Sequence, residues 1–191
     1  TKFLSLSGWS GIFAGLFAIL GAMAAYIYLG STEMVYYDEI FELMRSDRSL
    51  SPKTFLLLDA LIVLVLALAS ALFFSIRKAT KQGEKFWSPV LKRLLFTILV
   101  PLGTGGLLSL IMMWQNHVNL VAPLTLIFYG LALTNAGRFV NKELLILGIA
   151  EITLGLAATV WQDLGLYFWT VGFGLFHMIY GVTLYFKYDR K

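Results

Sequence analysis

Apolar residues along this chain fall in blocks of about 20, separated by short polar or charged stretches. A helix of about 20 apolar residues is long enough to cross the ~30 Å hydrocarbon core of a bilayer. The blocks therefore predict an all-α, six-helix transmembrane bundle. Because they take up nearly the whole chain, we expect a single integral-membrane domain over residues 1–191. The predicted helices cover residues 6–29, 54–76, 94–114, 120–136, 144–161 and 166–186.

Residues 30–53 form the only long connection between predicted helices, and this connection has a helical pattern of its own. Four apolar side chains recur at positions i, i+3, i+4 and i+7, whereas acidic residues occupy other positions around the turn. The pattern predicts an amphipathic helix over residues 33–45 that lies on the outer surface of the membrane crossed by the six helices. This acidic loop is where we expect a protein partner to bind, unless its charges form only a solvated face. The apolar positions are Tyr37, Ile40, Phe41 and Met44.

The basic residues are distributed unevenly between the two sides of the predicted bundle. If the N-terminus is inside, twelve of the 15 lysines and arginines lie in inner segments. Cytoplasmic loops carry such an excess, so the pattern predicts cytoplasmic N- and C-termini, with the bilayer of a bacterial inner membrane as the surroundings. The net charge of +4 then reflects topology, and no nucleic-acid partner is expected. A hydrophobic content of 59% with 14% charged residues excludes a soluble domain.

The chain contains no cysteine, which excludes disulfides, thiolate metal sites and a cysteine nucleophile. It also lacks the His-Glu-x-x-His, Gly-x-Ser-x-Gly and phosphate-binding loop motifs of common enzyme classes. No lysine lies deep in a predicted helix, and only one histidine does, which excludes a retinal Schiff base and a bis-histidine haem. We therefore expect no metal, no cofactor and no recognisable catalytic residue.

Helix 1 carries a stripe of small residues at alternating steps of three and four. Small residues on one face allow another helix to approach closely along its whole length. The partner is either another helix of the same bundle or helix 1 of a second copy in a homo-oligomer, and the pattern does not separate the two. The helix-packing residues are Gly8, Gly11, Gly15, Ala18, Ala22 and Ala25.

Two ionisable residues, Glu151 and His177, fall in the middle of helices 5 and 6. Each lies 13 residues from the turn that joins these helices, which places both about 20 Å from the turn at matching depth. The same count from the turn between helices 3 and 4 places Gly105 and Tyr129 in this layer. Small and polar residues flank Glu151 and His177 along their helices, so both side chains are expected to face the inside of the bundle.

An ionised carboxylate at this depth costs at least ~2.5 kcal/mol, so Glu151 must be paired, hydrated or protonated. Paired with His177, it is a candidate for binding and passing on a proton or a small solute, with Tyr129 beside it. The structural alternative is a neutral Glu151 whose hydrogen bond to His177 stabilises the helix contact. Asp59 is a further candidate in helix 2, although its neighbours along the helix are apolar and it lies close enough to the outer interface to extend towards it.

Helix 3 contains a proline and three glycines within Val100–Ser109. Pro101 cannot donate a backbone hydrogen bond and clashes with the preceding turn. One interpretation is a kinked helix whose glycines, Gly103, Gly105 and Gly106, allow close packing. The other is a flexible helix break whose free carbonyls line a cavity, as in transporters.

These patterns leave three functions open. The first is a small carrier or channel for protons or a small solute that uses the Glu151–His177 layer. The second is a non-transporting membrane sensor or accessory subunit that binds a partner through its acidic outer loop. The third is an intramembrane enzyme that acts on a lipid-like substrate. Two halves of three helices each, with opposite orientation and glycine interruptions at similar positions, favour the first.

Overall fold

The computed structural model describes residues 7–33, 50–81, 83 and 89–190, and across these residues the chain consists of helices and short turns. Five helices are regular: α1 (Gly8–Glu33), α2 (Pro52–Lys81), α3 (Pro89–Trp114), α4 (Val121–Gly137) and α5 (Lys142–Val160). The sixth, α6, covers residues 165–189 and changes its winding along the way. Its parts are an α-helical turn (Gly165–Trp169), a π-helix (Thr170–Phe176), a second α-helical part (His177–Leu184) and a π-helical end (Tyr185–Asp189).

Six of these helical segments are long and apolar enough to cross a membrane, as the hydrophobic pattern predicts. Large apolar side chains remain exposed along them, and on α2 they include Leu61, Ile62 and Phe73. Soluble proteins rarely expose such a continuous apolar surface, whereas a lipid-facing helix requires it. Six apolar helices with this exposed surface are compatible with an integral membrane protein.

The central element of the bundle is α6, which packs against α1, α4 and α5. At the periphery, α2 packs on α1 and α3 packs on α4. Buried side chains from α3, α4, α5 and α6 form an apolar cluster between these helices. The cluster consists of Leu94, Leu133, Ala136, Leu144, Leu147, Tyr180 and Leu184.

The small-residue stripe of α1 packs on α6 within the same chain. A methyl group added at Gly11 would lie 2.8 Å from the Cα atom of Gly181, and one added at Gly15 would lie 2.5 Å from the carbonyl oxygen of Gly174. These spacings leave no room for a side chain, because ordinary contacts of a methyl carbon exceed about 3.4 Å. Ala18, which continues the stripe, is buried, as are Ala22 and Ala25. This face of α1 is therefore occupied inside the bundle.

The glycine-rich segment of α3 does not break the helix, contrary to the second interpretation above. Helix α3 is continuous from Pro89 to Trp114 with Pro101 inside it. Proline removes a single helical hydrogen bond, and the remaining turns are retained. Gly105 packs on the Phe128 side chain of α4, whereas a methyl group added at Gly103 or Gly106 would lie within 4 Å of no other helix in the described part of the chain. The segment is thus a continuous helix with one glycine used for close packing.

Asp189 connects three helices at one end of the bundle. Its carboxylate accepts hydrogen bonds from the Gly8 backbone N–H at 2.7 Å and from the Ser7 hydroxyl at 3.2 Å, at the start of α1. It also pairs with Lys78 of α2 at 2.6 Å. A carboxylate at a helix N-terminus satisfies free N–H groups and interacts favourably with the helix dipole. We call this the Asp189 end, and the opposite one, which carries the turn between α3 and α4, the Asn116 end.

The helix starts follow the local sequence. At the start of α2, the Ser51 hydroxyl accepts a hydrogen bond from the Thr54 backbone N–H at 3.2 Å and caps the helix that begins at Pro52. Asn141 caps α5 in the same way through the Leu144 N–H, at 2.7 Å. Except for Glu33, the last residue of α1, the predicted amphipathic helix over residues 33–45 lies outside the described residues.

Candidate functional site

Tyr129, Glu151 and His177 come together inside the bundle, one from each of α4, α5 and α6. The Tyr129 hydroxyl lies 2.7 Å from Nε2 of His177. On the other side of the imidazole ring, Nδ1 lies 3.5 Å from Oε1 of Glu151. The matching depths calculated from the sequence thus correspond to contact between the three side chains. We call these three residues the buried cluster.

Glycines on α5 and α6 make room for the carboxyl group of Glu151. Gly148 and Gly155, one helical turn on either side of Glu151, pack directly on α4, so α4 and α5 approach closely at this depth. On α6, Gly172 has no side chain, and a methyl group there would collide with Oε2 of Glu151. The carboxyl group therefore occupies the space that any other residue at position 172 would fill.

His177 is held by hydrogen bonds on both ring nitrogens. Nδ1 lies 3.1 Å from the carbonyl oxygen of Gly172 and donates to it, since a carbonyl can only accept. Nε2 is then free to accept from the hydroxyl of Tyr129. This pattern fits a neutral imidazole with its proton on Nδ1, assigned from the hydrogen-bond network. The second partner of Nδ1, Glu151, is close enough to compete with Gly172 for that proton.

Glu151 is completely buried, with 0% of its surface exposed. Within the described part of the chain, neither of its carboxyl oxygens has a hydrogen-bond partner. The methyl groups of Leu126 and Leu154 lie beside the same glycine that Oε2 packs against. A buried polar group without a hydrogen bond costs about 1–3 kcal/mol, and folded proteins commonly retain such a group where it has a function.

The Gly172 carbonyl belongs to the π-helical part of α6, Thr170–Phe176. The backbone N–H of His177 donates to Gly174, so the Gly172 carbonyl is available to the side chain of His177. Short π-helical segments inside helices occur frequently at functional sites. Here the wider turn brings a carbonyl oxygen, the imidazole and the carboxyl group into one contact.

Aromatic rings adjoin the buried cluster on the side of α4 and α6. The Phe173 ring lies 4.9 Å from that of Tyr129 and 6.0 Å from the imidazole of His177, measured between ring centres. Trp169, one turn earlier on α6, lies 4.9 Å from Phe173. Neither Phe173 nor Trp169 was a candidate from the sequence, since an aromatic residue in a membrane helix is most often a packing residue.

The remaining candidates lie apart from the buried cluster. The Asp59 carboxylate packs beside Gly21 of α1, where a methyl group would lie 3.2 Å from Oδ2. This contact places it between α1 and α2. Gly105 lies at the α3–α4 contact next to Phe128, while Gly103 and Gly106 face away from the protein. In the described ranges, no three His, Cys, Asp or Glu side chains come close enough to hold a metal ion together.

Comparison with protein-family models, curated proteins and solved structures finds no match to this chain. The buried cluster and the six apolar helices are therefore the features of the molecule that bear on its function.

Proposed function

We propose that this protein is a small membrane carrier in which Glu151 takes up and releases a proton. One observation carries the proposal: the carboxyl group is fully buried in the bundle and lacks a hydrogen bond within the described residues, with an imidazole nitrogen 3.5 Å away. Ionisable residues at such positions are costly, and they commonly mark proton or ion pathways in membrane proteins.

The hydrogen bonds of His177 are those expected when all three residues of the buried cluster are uncharged. With Glu151 protonated, His177 donates through Nδ1 to the Gly172 carbonyl and accepts through Nε2 from Tyr129. No net charge is then buried at this depth, and every polar atom of the imidazole is satisfied. This is the state in which the bundle packs at the lowest cost, because a neutral group avoids the desolvation of an ion.

The ionised state requires only a small rearrangement. When Glu151 loses its proton, the Nδ1–H of His177 can turn from the Gly172 carbonyl to Oε1 of Glu151 and stabilise the carboxylate. Hydrogen bonds to a charged group are worth about 1.5–3 kcal/mol, more than those between neutral groups. His177 thus acts as a positioning residue with two alternative acceptors, one for each charge state of Glu151.

Infrared difference spectroscopy of the reconstituted protein tests this proposal directly. A carboxyl band of a protonated acid in apolar surroundings should appear and disappear with pH in the wild type and be missing in Glu151→Gln. Glu143→Gln, on the same helix but paired with Lys187 at the surface, is the matched control and should keep the band. A titrating band that persists in Glu151→Gln, or the absence of any such band from the wild type, would overturn proton binding at Glu151.

The same geometry favours one second candidate, an intramembrane enzyme. The imidazole of His177 contacts a hydroxyl on one side and a carboxyl group on the other. Nucleophilic catalysis uses the same order of groups, in which the histidine acts as base and the carboxylate orients it. Tyr129 would then be the nucleophile. Tyr129→Phe separates the two functions, since an enzyme would lose all turnover while a carrier would keep proton exchange at Glu151.

A further inference from the structure

A row of three aromatic side chains extends from the buried cluster and shares Tyr129 with it. It consists of Trp169, Phe173 and Tyr129, with consecutive ring centres 4.9 Å apart. We call these three residues the aromatic row. It ends at His177, whose ring lies 5.3 Å from that of Tyr129. The row therefore leads from the first turn of α6, near the Asn116 end, to the histidine that contacts Glu151.

All three rings are only partly covered by the protein, in contrast to the buried Glu151 and His177. Their rings are largely apolar, but each aromatic face also carries a partial negative charge. Such faces attract cations, with Trp the strongest, and the attraction is largest where water is excluded. A site of this kind favours a ligand that is both hydrophobic and positively charged.

The ionisable groups around this layer agree with a cationic ligand. Tyr129 on α4, Glu151 on α5 and His177 on α6 face the layer, and Tyr180 lies one turn beyond His177 towards the Asp189 end. In the apolar part of α1, Gly8–Leu29, the only ionisable side chains are tyrosines, and these lie near its C-terminal end. None of these groups is a lysine or arginine, so a cation on the row meets no fixed positive charge from the described parts of α1, α4, α5 and α6 at this depth. Glu151, 3.5 Å from the histidine at the end of the row, can supply a negative one.

We propose that the aromatic row binds a lipophilic organic cation, and that this cation exchanges for the proton on Glu151. The inference rests on the proposed function, and it names the substrate class. The exchange needs no covalent step: one cation occupies the row, one proton leaves Glu151 for the aqueous phase, and the charge of the layer is unchanged. A cation beside a carboxylate in low dielectric stabilises the ionised form, so the two cannot be bound together at full strength.

Tetraphenylphosphonium is a suitable probe, because it is a permanent cation with an apolar surface. We expect the purified protein to bind it and to release about one proton per cation bound, both measured by calorimetry in two buffers of different protonation enthalpy. Tetraphenylborate, an anion of similar shape, should not bind to the row. If both ions bind equally, binding depends on their hydrophobic surface and not on their charge. This result would overturn the proposal.

Two variants locate the site. Phe173→Leu should lower the affinity for tetraphenylphosphonium about tenfold by removing the central ring of the row. Phe168→Leu is the matched control, since that ring also belongs to α6 but stacks on Trp161 outside the row, and it should bind as the wild type does. Unchanged affinity in Phe173→Leu would overturn the assignment of the row.

The outcomes also separate this inference from the proposed function. Glu151→Gln should abolish proton release and lower the affinity for the cation. If the infrared band of Glu151 titrates while tetraphenylphosphonium does not bind, the cation proposal fails and proton exchange stands. If the cation binds without releasing a proton, the exchange fails and the row is a binding site alone.

Discussion

Glu151 combines complete burial with a carboxyl group that makes no hydrogen bond to the described residues. A residue whose role is to join two helices would normally show the hydrogen bond that joins them. The 3.5 Å separation from Nδ1 of His177 is longer than such a bond, and His177 is already bonded to Tyr129 and Gly172. The hydrogen bond between Glu151 and His177 that the structural alternative requires is therefore not formed in this structure.

Substitutions at Glu151 and at His177 should therefore have different effects on the stability of the protein. Glu151→Leu should leave the thermal unfolding temperature unchanged or raise it, because it removes an unsatisfied polar group and fills the same space with an apolar one. His177→Leu should lower the free energy of unfolding by about 1–3 kcal/mol, since it breaks two hydrogen bonds and leaves the Tyr129 hydroxyl unpaired. Thermal unfolding in detergent measures both.

A Glu151→Leu variant as unstable as His177→Leu would contradict this account. It would show that the carboxyl group contributes to the helix contact in the folded protein, as the structural interpretation requires.

Part of the buried cluster could be predicted from residue positions alone. Depth along a helix follows from counting residues from a turn, which is why Tyr129, Glu151 and His177 could be placed in one layer before the structure was known. The role of Gly172 could not be predicted, because it depends on the π-helical winding of α6 and on the direction of the Glu151 side chain. Neither feature produces a periodic pattern in the sequence from which it could be predicted.

At the scale of helices, close packing concentrates on glycines that face a neighbour. Gly11 of α1 lies against Gly181 of α6, whereas a methyl group added at Gly103 of α3 would have no other described helix within 4 Å. The sequence predicted Gly11 to be a packing residue and left Gly103 open to close packing or to a helix break. What distinguishes them is which face of the helix is covered, and this depends on the arrangement of all six helices.

These two glycines give a matched pair for mutation. Gly11→Ala should lower the free energy of unfolding by about 1–3 kcal/mol, because the added methyl group collides with the backbone of α6. Gly103→Ala should raise it by up to about 1 kcal/mol, since alanine favours the helix and nothing opposes the methyl group. Thermal unfolding of both variants in one detergent checks the prediction. Destabilisation by Gly103→Ala would mean that another helix, absent from the bundle described, packs on this face.

Helix α3 shows where local sequence rules mislead. Proline followed by three glycines has a low helix propensity, which suggests a break. In this bundle the helix continues, and the Thr104 hydroxyl donates to the carbonyl of Val100 at 2.9 Å within it. In an apolar environment an unpaired backbone group is costly, so the helical hydrogen bonds are kept wherever geometry allows.

At the scale of the whole molecule, the hydrophobic pattern was sufficient to predict six helices long and apolar enough to cross a membrane, because this property depends on block length and composition alone. It was not sufficient to predict how they pack. Asp189 joins the start of α1 to the end of α6 and to α2, and its hydrogen bond to Gly8 spans 181 residues of sequence. Such long-range contacts leave no local signal, so the central position of α6 became evident only in the structure.

Proton movement across a membrane is a property of the whole molecule, and its measurement tests the central claim most directly. The protein would be reconstituted into vesicles that contain a pH-sensitive dye, with and without tetraphenylphosphonium inside, and a pH gradient would be applied. The account predicts proton flux above that of empty vesicles for the wild type and for Glu143→Gln, and flux equal to that of empty vesicles for Glu151→Gln. Equal flux in Glu151→Gln and the wild type under both conditions would contradict the account.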